Sequence, residues 1–412
     1  MLKVYPKDNQ GNLLPVVIKS WCSDLESQAL QQAIDVANHP ATFHHVSLMP
    51  DAHLGYGMPI GGVAALKGCI SSNMVGVDIG CGVIARETNL TLEEMTTEKI
   101  KIIMDTVKEN IPHGQGKAHS EKQTWSRFED YLKKTQDQNG VLPIWFNEKM
   151  WDLVNRNLGT LGSGNHFIEM QVSEPLGDDP GGKIWSMLHS GSRNLGFQIA
   201  KSYGKIALEQ NKQWFSDLHV NDLAFLPTDS FVGQAYIEDM NFALEYALEN
   251  RCRMMESFMG AVAGVFQNAE MDSQINIHHN YAALENHFKK NVWVHRKGAT
   301  SAKKGEMGII PGSMGTSSYI VKGLGNRESF MSCSHGAGRT MGRMEYNRTH
   351  SVEDADKSME DIVFHGWSKD RKGNPDYSEA PGAYKDIDTV IANQLDLIEP
   401  RVKLRPLGVV KG

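Results

Sequence analysis

Ser332-Cys333-Ser334-His335-Gly336-Ala337-Gly338-Arg339 sets one histidine among small residues, with an arginine four positions on. That pattern suits an imidazole that attacks a phosphate. Small neighbours let an anion approach closely, backbone N–H groups of a Gly-rich turn can receive its oxygens, and a guanidinium can hold it in bidentate fashion. Other short polar islands carry similar chemistry: Met49-Pro50-Asp51-Ala52-His53, Val77-Asp78-Ile79-Gly80-Cys81-Gly82, Gly164-Asn165-His166, Leu188-His189-Ser190-Gly191-Ser192-Arg193 and Ile277-His278-His279-Asn280-Tyr281. They read as one dispersed site.

Asp78-x-x-Cys81 can aim a carboxylate and a thiolate at one point, because the flanking glycines keep the backbone out of the way. With His166, His189 and His279 the candidate donors exceed the three protein ligands of an ordinary catalytic zinc site. They suit two ions sharing the Cys81 thiolate. Soft thiolate and imidazole favour zinc, whereas a carboxylate and a triphosphate favour manganese or magnesium, and the donors alone rank zinc first. Leu158 to Gly164 is a Gly-rich turn that matches neither the P-loop nor the dinucleotide pattern, so its use is to bring Asn165 and His166 to a ligand. Pro311-Gly312-Ser313-Met314-Gly315 opens a second tight turn, rich in hydroxyls as far as Ser318.

The elements that must carry these islands alternate irregularly. Spacing of apolar residues predicts helices over Leu25 to Asn38, Thr91 to Asn110, Ser120 to Thr135, Gly196 to Phe215, Gln234 to Gln267 and Asp386 to Leu397. Strands are expected at His45 to Met49, Gly62 to Leu66, Val75 to Arg86, Phe167 to Val172, Ile184 to His189, Val292 to Arg296, Gly308 to Ile310 and Ser318 to Val321. Lys133 to Gly140 reads as a loop. The lack of βαβ regularity, of repeats and of a clean linker favours one α+β domain over residues 1–412.

Composition narrows the function. A formal charge of −7, from 42 Lys+Arg against 49 Asp+Glu, excludes a protein that coats nucleic acid by bulk electrostatics. Local basic patches are expected instead at Arg296-Lys297 with Lys303-Lys304, and at Lys369 to Lys372. The five cysteines include no CxxC pair, which argues against a disulfide framework or a thiolate zinc knuckle. No apolar run suits a membrane span and the first residues lack a signal-peptide pattern, so a cytoplasmic protein is expected.

Taken together, the islands closely resemble the RtcB family of GTP-dependent RNA ligases. The likeness rests on Pro50-Asp51-x-His53-x-Gly55, Gly76-Val77-Asp78-Ile79-Gly80-Cys81-Gly82, Gly162-Ser163-Gly164-Asn165-His166-Phe167, His189-Ser190-Gly191-Ser192-Arg193, His279-Asn280-Tyr281, Pro311 to Gly315 and Ser334 to Arg339. It implies an α+β fold with two sheets sandwiched between helices, and it implies manganese in place of zinc. On this likeness Cys81 bridges two Mn²⁺ ions, with His166 and His189 on one and Asp78 and His279 on the other. His335 becomes the nucleophile toward GTP. Asn165, Arg193 and Arg339 meet phosphates, and Asp51 stands by as proton acceptor or supporting partner. Phe167 and Glu169 meet guanine, while Pro311, Gly312, Ser313, Met314, Ser318, Gly336, Ala337, Gly338, Tyr384 and Lys411 complete the nucleotide pocket. The implied partners are RNA ends bearing a 3′-phosphate or 2′,3′-cyclic phosphate and a 5′-hydroxyl, with archease as an accessory and a monomer as the working form. A competing expectation from the donors alone is a dinuclear phosphodiester hydrolase that forms no nucleotide adduct. Asn194 and the stretch from Val363 to Glu379 depart from the family pattern.

Overall fold

The computed structural model describes residues 1–7, 13, 16–369 and 373–412. Among them the strands gather mainly into a six-stranded and an eight-stranded sheet, with helices against a face of each, an α+β architecture. The expected strands at Gly62 and His45 are the inner parts of longer ones, Met58–Leu66 and Thr42–Tyr56. One face of that pair buries Val46, Leu48, Ala64 and Leu66 against the Ser27–Ala37 helix. The other face buries Met49, Val63 and Ala65 with Ile310, Tyr319 and Val321 of the larger sheet.

The eight-stranded sheet carries the chemistry. Its central order runs Met271–His278, Gly82–Thr91, Lys183–Ser190, Phe167–Glu174 and Ile398–Lys411, all antiparallel to their neighbours. Alternation decides which side chains serve it. Ile168, Met170 and Val172 point into the core formed with the Thr97–Asn110 and Phe231–Val265 helices, so Phe167, Glu169 and Gln171 take the opposite face. The Phe231–Val265 helix starts where the Ser230 hydroxyl accepts from the Gly233 N–H, and it runs 35 residues beneath the strand ends.

Several boundaries differ from the sequence expectations for physical reasons. The strand expected from Val75 begins only at Gly82, because Ser72–Val75 forms a helical turn and Gly80 takes φ +75° in the bend that follows. Lys133 to Gly140 is no loop: the Ser126–Asn139 helix buries Phe128, Tyr131, Leu132 and Thr135 along one face and stops at Gly140. The Glu148–Asn157 helix was not anticipated, nor was the 14-residue strand Ile398–Lys411. Pro400 and Pro406 mask that strand, yet both fall beside register shifts where the ladder is interrupted and no N–H is required.

The Arg296-Lys297 patch is not on the surface. Arg296 is fully buried, with Nη1 2.8 Å from Glu285 Oε1, and Lys297 donates to the carbonyls of Tyr56 and Asn73. Of the second expected patch, residues 370–372 and the Lys369 side chain lie outside the described residues. Among the described residues, no helix is long and apolar enough to cross a membrane. The five cysteines are free.

Candidate active site

Three adjacent strand ends and one loop converge on the expected donors. Register sets Val83 opposite His189 and Gly82 opposite His278, so Cys81, His189 and His279 meet at one edge of the sheet. His166 arrives from the turn that precedes the Phe167–Glu174 strand. The donor atoms form a chain of close neighbours. Asp78 Oδ2 lies 3.2 Å from His166 Nε2, which lies 3.4 Å from Cys81 Sγ. Cys81 Sγ lies 3.2 Å from His189 Nε2, and His189 Nε2 lies 3.3 Å from His279 Nε2. Gly191 is required at the edge of this group, since a Cβ there would come within 2.3 Å of Asp78 Oδ1.

The donors divide into two sets with one common member: Cys81, His189 and His279, and Asp78, Cys81 and His166. That grouping by proximity differs from the pairing the resemblance implies. His166 Nε2 lies beside Asp78 Oδ2, whereas His189 and His279, from the strands on either side of Gly82–Thr91, meet over its start with Nε2 atoms 3.3 Å apart.

The electrostatics favour a cation. Burial, followed by the Asp78 charge, pushes the Cys81 thiol well up, and burial followed by neighbouring imidazoles pushes His189 and His279 well down. Burial raises the Asp78 carboxyl, but hydrogen bonding and charge at His166 bring it below its ordinary range. Two neutral imidazoles facing each other with Nε2 atoms 3.3 Å apart, beside a buried thiol, satisfy one another poorly. A divalent ion in each set would relieve this, so the residues fit two metals sharing a thiolate.

His335 stands next to this cluster, its ring centroid 4.8 Å from that of His279. Its Nδ1 lies 2.6 Å from Asp51 Oδ2, and the same oxygen accepts from the backbone N–H groups of His335 (3.0 Å) and Gly336 (3.2 Å). Asp51 is fully buried. Its carboxylate therefore holds the Nδ1–H tautomer and leaves Nε2 with a free lone pair. A cavity of about 240 Å³ opens in front of His335. Asn165, Phe167, Pro311, Gly312, Ser313, Met314, Gly336, Ala337, Gly338, Arg339, Tyr384 and Lys411 are among the residues that line it.

Three expected residues stand elsewhere. Glu169 and Ser318 lie behind the wall, joined through Gln171 Nε2, which is 2.7 Å from Glu169 Oε2 and 3.2 Å from Ser318 Oγ. The Ser318 hydroxyl also accepts from the Gly312 N–H, so it shapes the turn rather than facing the cavity. Burial pushes the Glu169 carboxyl up to about 8. Arg193 lies toward the Asp78 side of the donor cluster, its Nε 3.1 Å from Thr160 Oγ1.

The structure adds residues to which the sequence assigned no role. His53 and Arg343 line the cavity. Glu379, in the stretch read as divergent, is a buried hub: Oε1 meets Arg339 Nη1 (3.1 Å) and Arg343 Nε (2.6 Å), while Oε2 meets Lys411 Nζ (3.3 Å) and the Tyr384 hydroxyl. Burial would raise its carboxyl, but Lys411, Arg343 and Arg339 hold it down to about 2. His53 sits inside the quoted Pro50-Asp51-x-His53 motif and Arg343 follows Arg339 by four residues, so both had a local signal; Glu379 had none.

A cluster of donors that could hold metal ions lies beside a carboxylate-braced imidazole, at the mouth of a cavity lined by Arg339, Arg343 and Lys411. The family model for tRNA-splicing ligase RtcB matches residues 32–412, and the chain belongs to that family. It is 38% identical to the RNA-splicing ligase RtcB of Escherichia coli (strain K12), over 96% of this chain and 97% of that protein. The tRNA-splicing ligase RtcB of Pyrobaculum aerophilum is 34% identical over 96% of this chain and 93% of its own. That of Thermococcus kodakarensis is 33% identical over 94% and 92%.

Proposed function

We propose that the protein is an RNA ligase, dependent on GTP and manganese, that joins 3′-phosphate or 2′,3′-cyclic phosphate ends to 5′-hydroxyl ends through a histidine-linked GMP. Residues 1–412 act as one catalytic unit and as a monomer, with archease as an accessory, in tRNA splicing or RNA repair. The observation that carries this reading is the 2.6 Å contact between Asp51 and His335 Nδ1 at the edge of both the donor cluster and the cavity. A phosphodiester hydrolase built on the same donors would need neither His335 nor the cavity in front of it.

His335 Nε2 attacks the α-phosphorus of GTP: the P–N bond forms, the bond to the bridging oxygen breaks, and pyrophosphate leaves with the electron pair. The ring gains positive charge as it reacts, and the Asp51 carboxylate stabilises that charge through the Nδ1–H bond. An oxygen of the RNA 3′-phosphate then attacks the same phosphorus and Nε2 departs with its electrons. The 5′-hydroxyl of the second fragment, losing its proton, finally displaces GMP to close the phosphodiester. A cyclic end is first opened by water to the 3′-phosphate. Asp78, Cys81, His166, His189 and His279 would hold manganese, which when bound would supply charge neutralisation for the phosphates. Arg339, Arg343 and Lys411, aligned by Glu379, hold the anionic substrate, and Asn165 donates at the cavity mouth.

The test is adduct formation. Protein incubated with manganese and GTP labelled at the α-phosphate is expected to retain the label through an acid-labile, alkali-stable bond, and His335→Ala to lose it. Label that persists on the variant would place the nucleophile elsewhere.

A further inference from the structure

Asn250 and Arg251 sit side by side, fully buried, at the middle of the Phe231–Val265 helix. Neither belongs to the donor cluster, yet both reach the segments that carry it. Arg251 Nη1 donates to the carbonyls of Gly80 (2.9 Å) and Ser190 (3.0 Å). Its Nε donates to Asn276 Oδ1 (2.7 Å), and its Nη2 lies 3.1 Å from His278 Nδ1. Gly80, Ser190 and His278 are the immediate chain neighbours of Cys81, His189 and His279. One guanidinium thus spans the ends of three strands, where carbonyls beyond the last ladder pairs need donors.

Asn250 serves the other side. Its Oδ1 accepts from the Gly159 (2.7 Å) and Thr160 (3.0 Å) N–H groups, and its Nδ2 donates to the Thr160 and Gly191 carbonyls and to the Ser190 hydroxyl, each at 3.2 Å; that hydroxyl in turn donates to the Leu161 carbonyl at 2.8 Å. The next carbonyl, that of Leu161, accepts from His166 Nδ1 at 2.8 Å, which turns His166 Nε2 toward Asp78. Gly191 is the residue that packs against the Asp78 carboxylate.

We infer that Asn250 and Arg251 are positioning residues with divided duties: Arg251 sets the Cys81–His189–His279 seat, and Asn250 sets the Asp78–Cys81–His166 seat. The inference rests on the two-ion reading above. A buried cation beside a cation-binding cluster is electrostatically unfavourable, so what Arg251 contributes is geometry. Lysine, a point donor on a flexible stem, cannot span the same four partners.

Metal-free full-length protein titrated with MnCl₂ tests this, with bound ions counted after equilibrium dialysis and the ion pair followed by electron paramagnetic resonance. Wild type should bind two ions with the signal of a coupled pair. Arg251→Met should keep one ion, bind the second at least about tenfold more weakly, and show an uncoupled single-ion spectrum. Asn250→Leu should do the same at the other seat. Adding His279→Ala to Arg251→Met should leave the remaining tight ion unaffected, whereas adding His166→Ala should weaken both seats; the pattern reverses for Asn250→Leu. Arg251→Lys should not restore the pair. Asn276→Ala, at a half-buried partner of the guanidinium, is the milder variant should Arg251→Met melt before the titration, and it should weaken the same seat as His279→Ala. Two ions bound within about twofold of wild type in the Arg251 and Asn276 variants would overturn the inference. So would equal loss at both seats, which would mark a role in the whole fold. Failure of wild type to bind two ions would instead remove the two-ion reading itself.

Discussion

Replacing Asp51 by asparagine separates the two services its carboxylate renders to His335. Oδ2 meets three donors, the Nδ1 and N–H of His335 and the N–H of Gly336, whereas Oδ1 is buried without a partner. An amide NH₂ placed at Oδ2 would face two backbone N–H groups, so the carbonyl oxygen must take that position and the NH₂ must fall where Oδ1 was. His335 then keeps its Nδ1–H tautomer, and Nε2 keeps its lone pair. The unpartnered NH₂ costs the fold about 1–3 kcal/mol. What the chemistry loses is charge assistance across the 2.6 Å contact as the ring becomes cationic. A hydrogen bond to a charged group contributes about 1.5–3 kcal/mol, which corresponds to a roughly 10- to 100-fold slower adduct formation. Rapid-quench single-turnover measurement of labelled GMP transfer reads this directly. A loss on the order of 10⁴-fold would mean that the amide flipped and forced the proton onto Nε2, and rates within about twofold of wild type would mean that Asp51 does not stabilise the reacting ring. Either result would refute the reasoning.

Cys81→Ser is expected to lower bound manganese at both seats, because Cys81 is the one donor common to the two sets; loss of a single ion in a metal count would show that the sulfur does not bridge. Glu169 gives the fold a pH dependence whose sign follows from its carboxyl being pushed up by burial, from an ordinary 4.5 to about 8. Below pH 4.5 it is neutral folded and unfolded alike. Between 4.5 and 8 the unfolded chain gives up the proton that the folded chain retains, so stability falls as pH rises through that window. The stability advantage of Glu169→Gln over wild type should therefore grow from pH 5 to pH 8 in denaturant melts, by up to roughly 1.4 kcal/mol per pH unit, and parallel curves would contradict it.

Much of the site was legible because its chemistry sits in short, contiguous islands. Cys81, His166, His189, His279 and His335 each stand beside glycine, serine or asparagine, Asp78 lies two residues from a glycine on either side, and most of them fall at or next to a strand end. Apolar spacing likewise marked the Phe231–Val265 and Thr97–Asn110 helices, whose buried faces recur at helical period. Periodicity failed where local rules were suspended: prolines in the Ile398–Lys411 strand are tolerated at its bulges, and Gly76 and Gly80 break what looked like a strand from Val75.

Residue identity along the chain thus specified which side chains could bind cations and attack phosphorus, since donor type and backbone freedom are local properties. Which donors stand closest together was decided by tertiary packing, which sets His189 and His279 over the start of the Gly82–Thr91 strand that runs between theirs and sets His166 beside Asp78. The hub at Glu379, the buried Arg296 and the reach of Asn250 and Arg251 beneath the strand ends are of the same kind. Each depends on contacts between residues far apart in the chain, and such contacts exist only once the sheets and the long helix have packed.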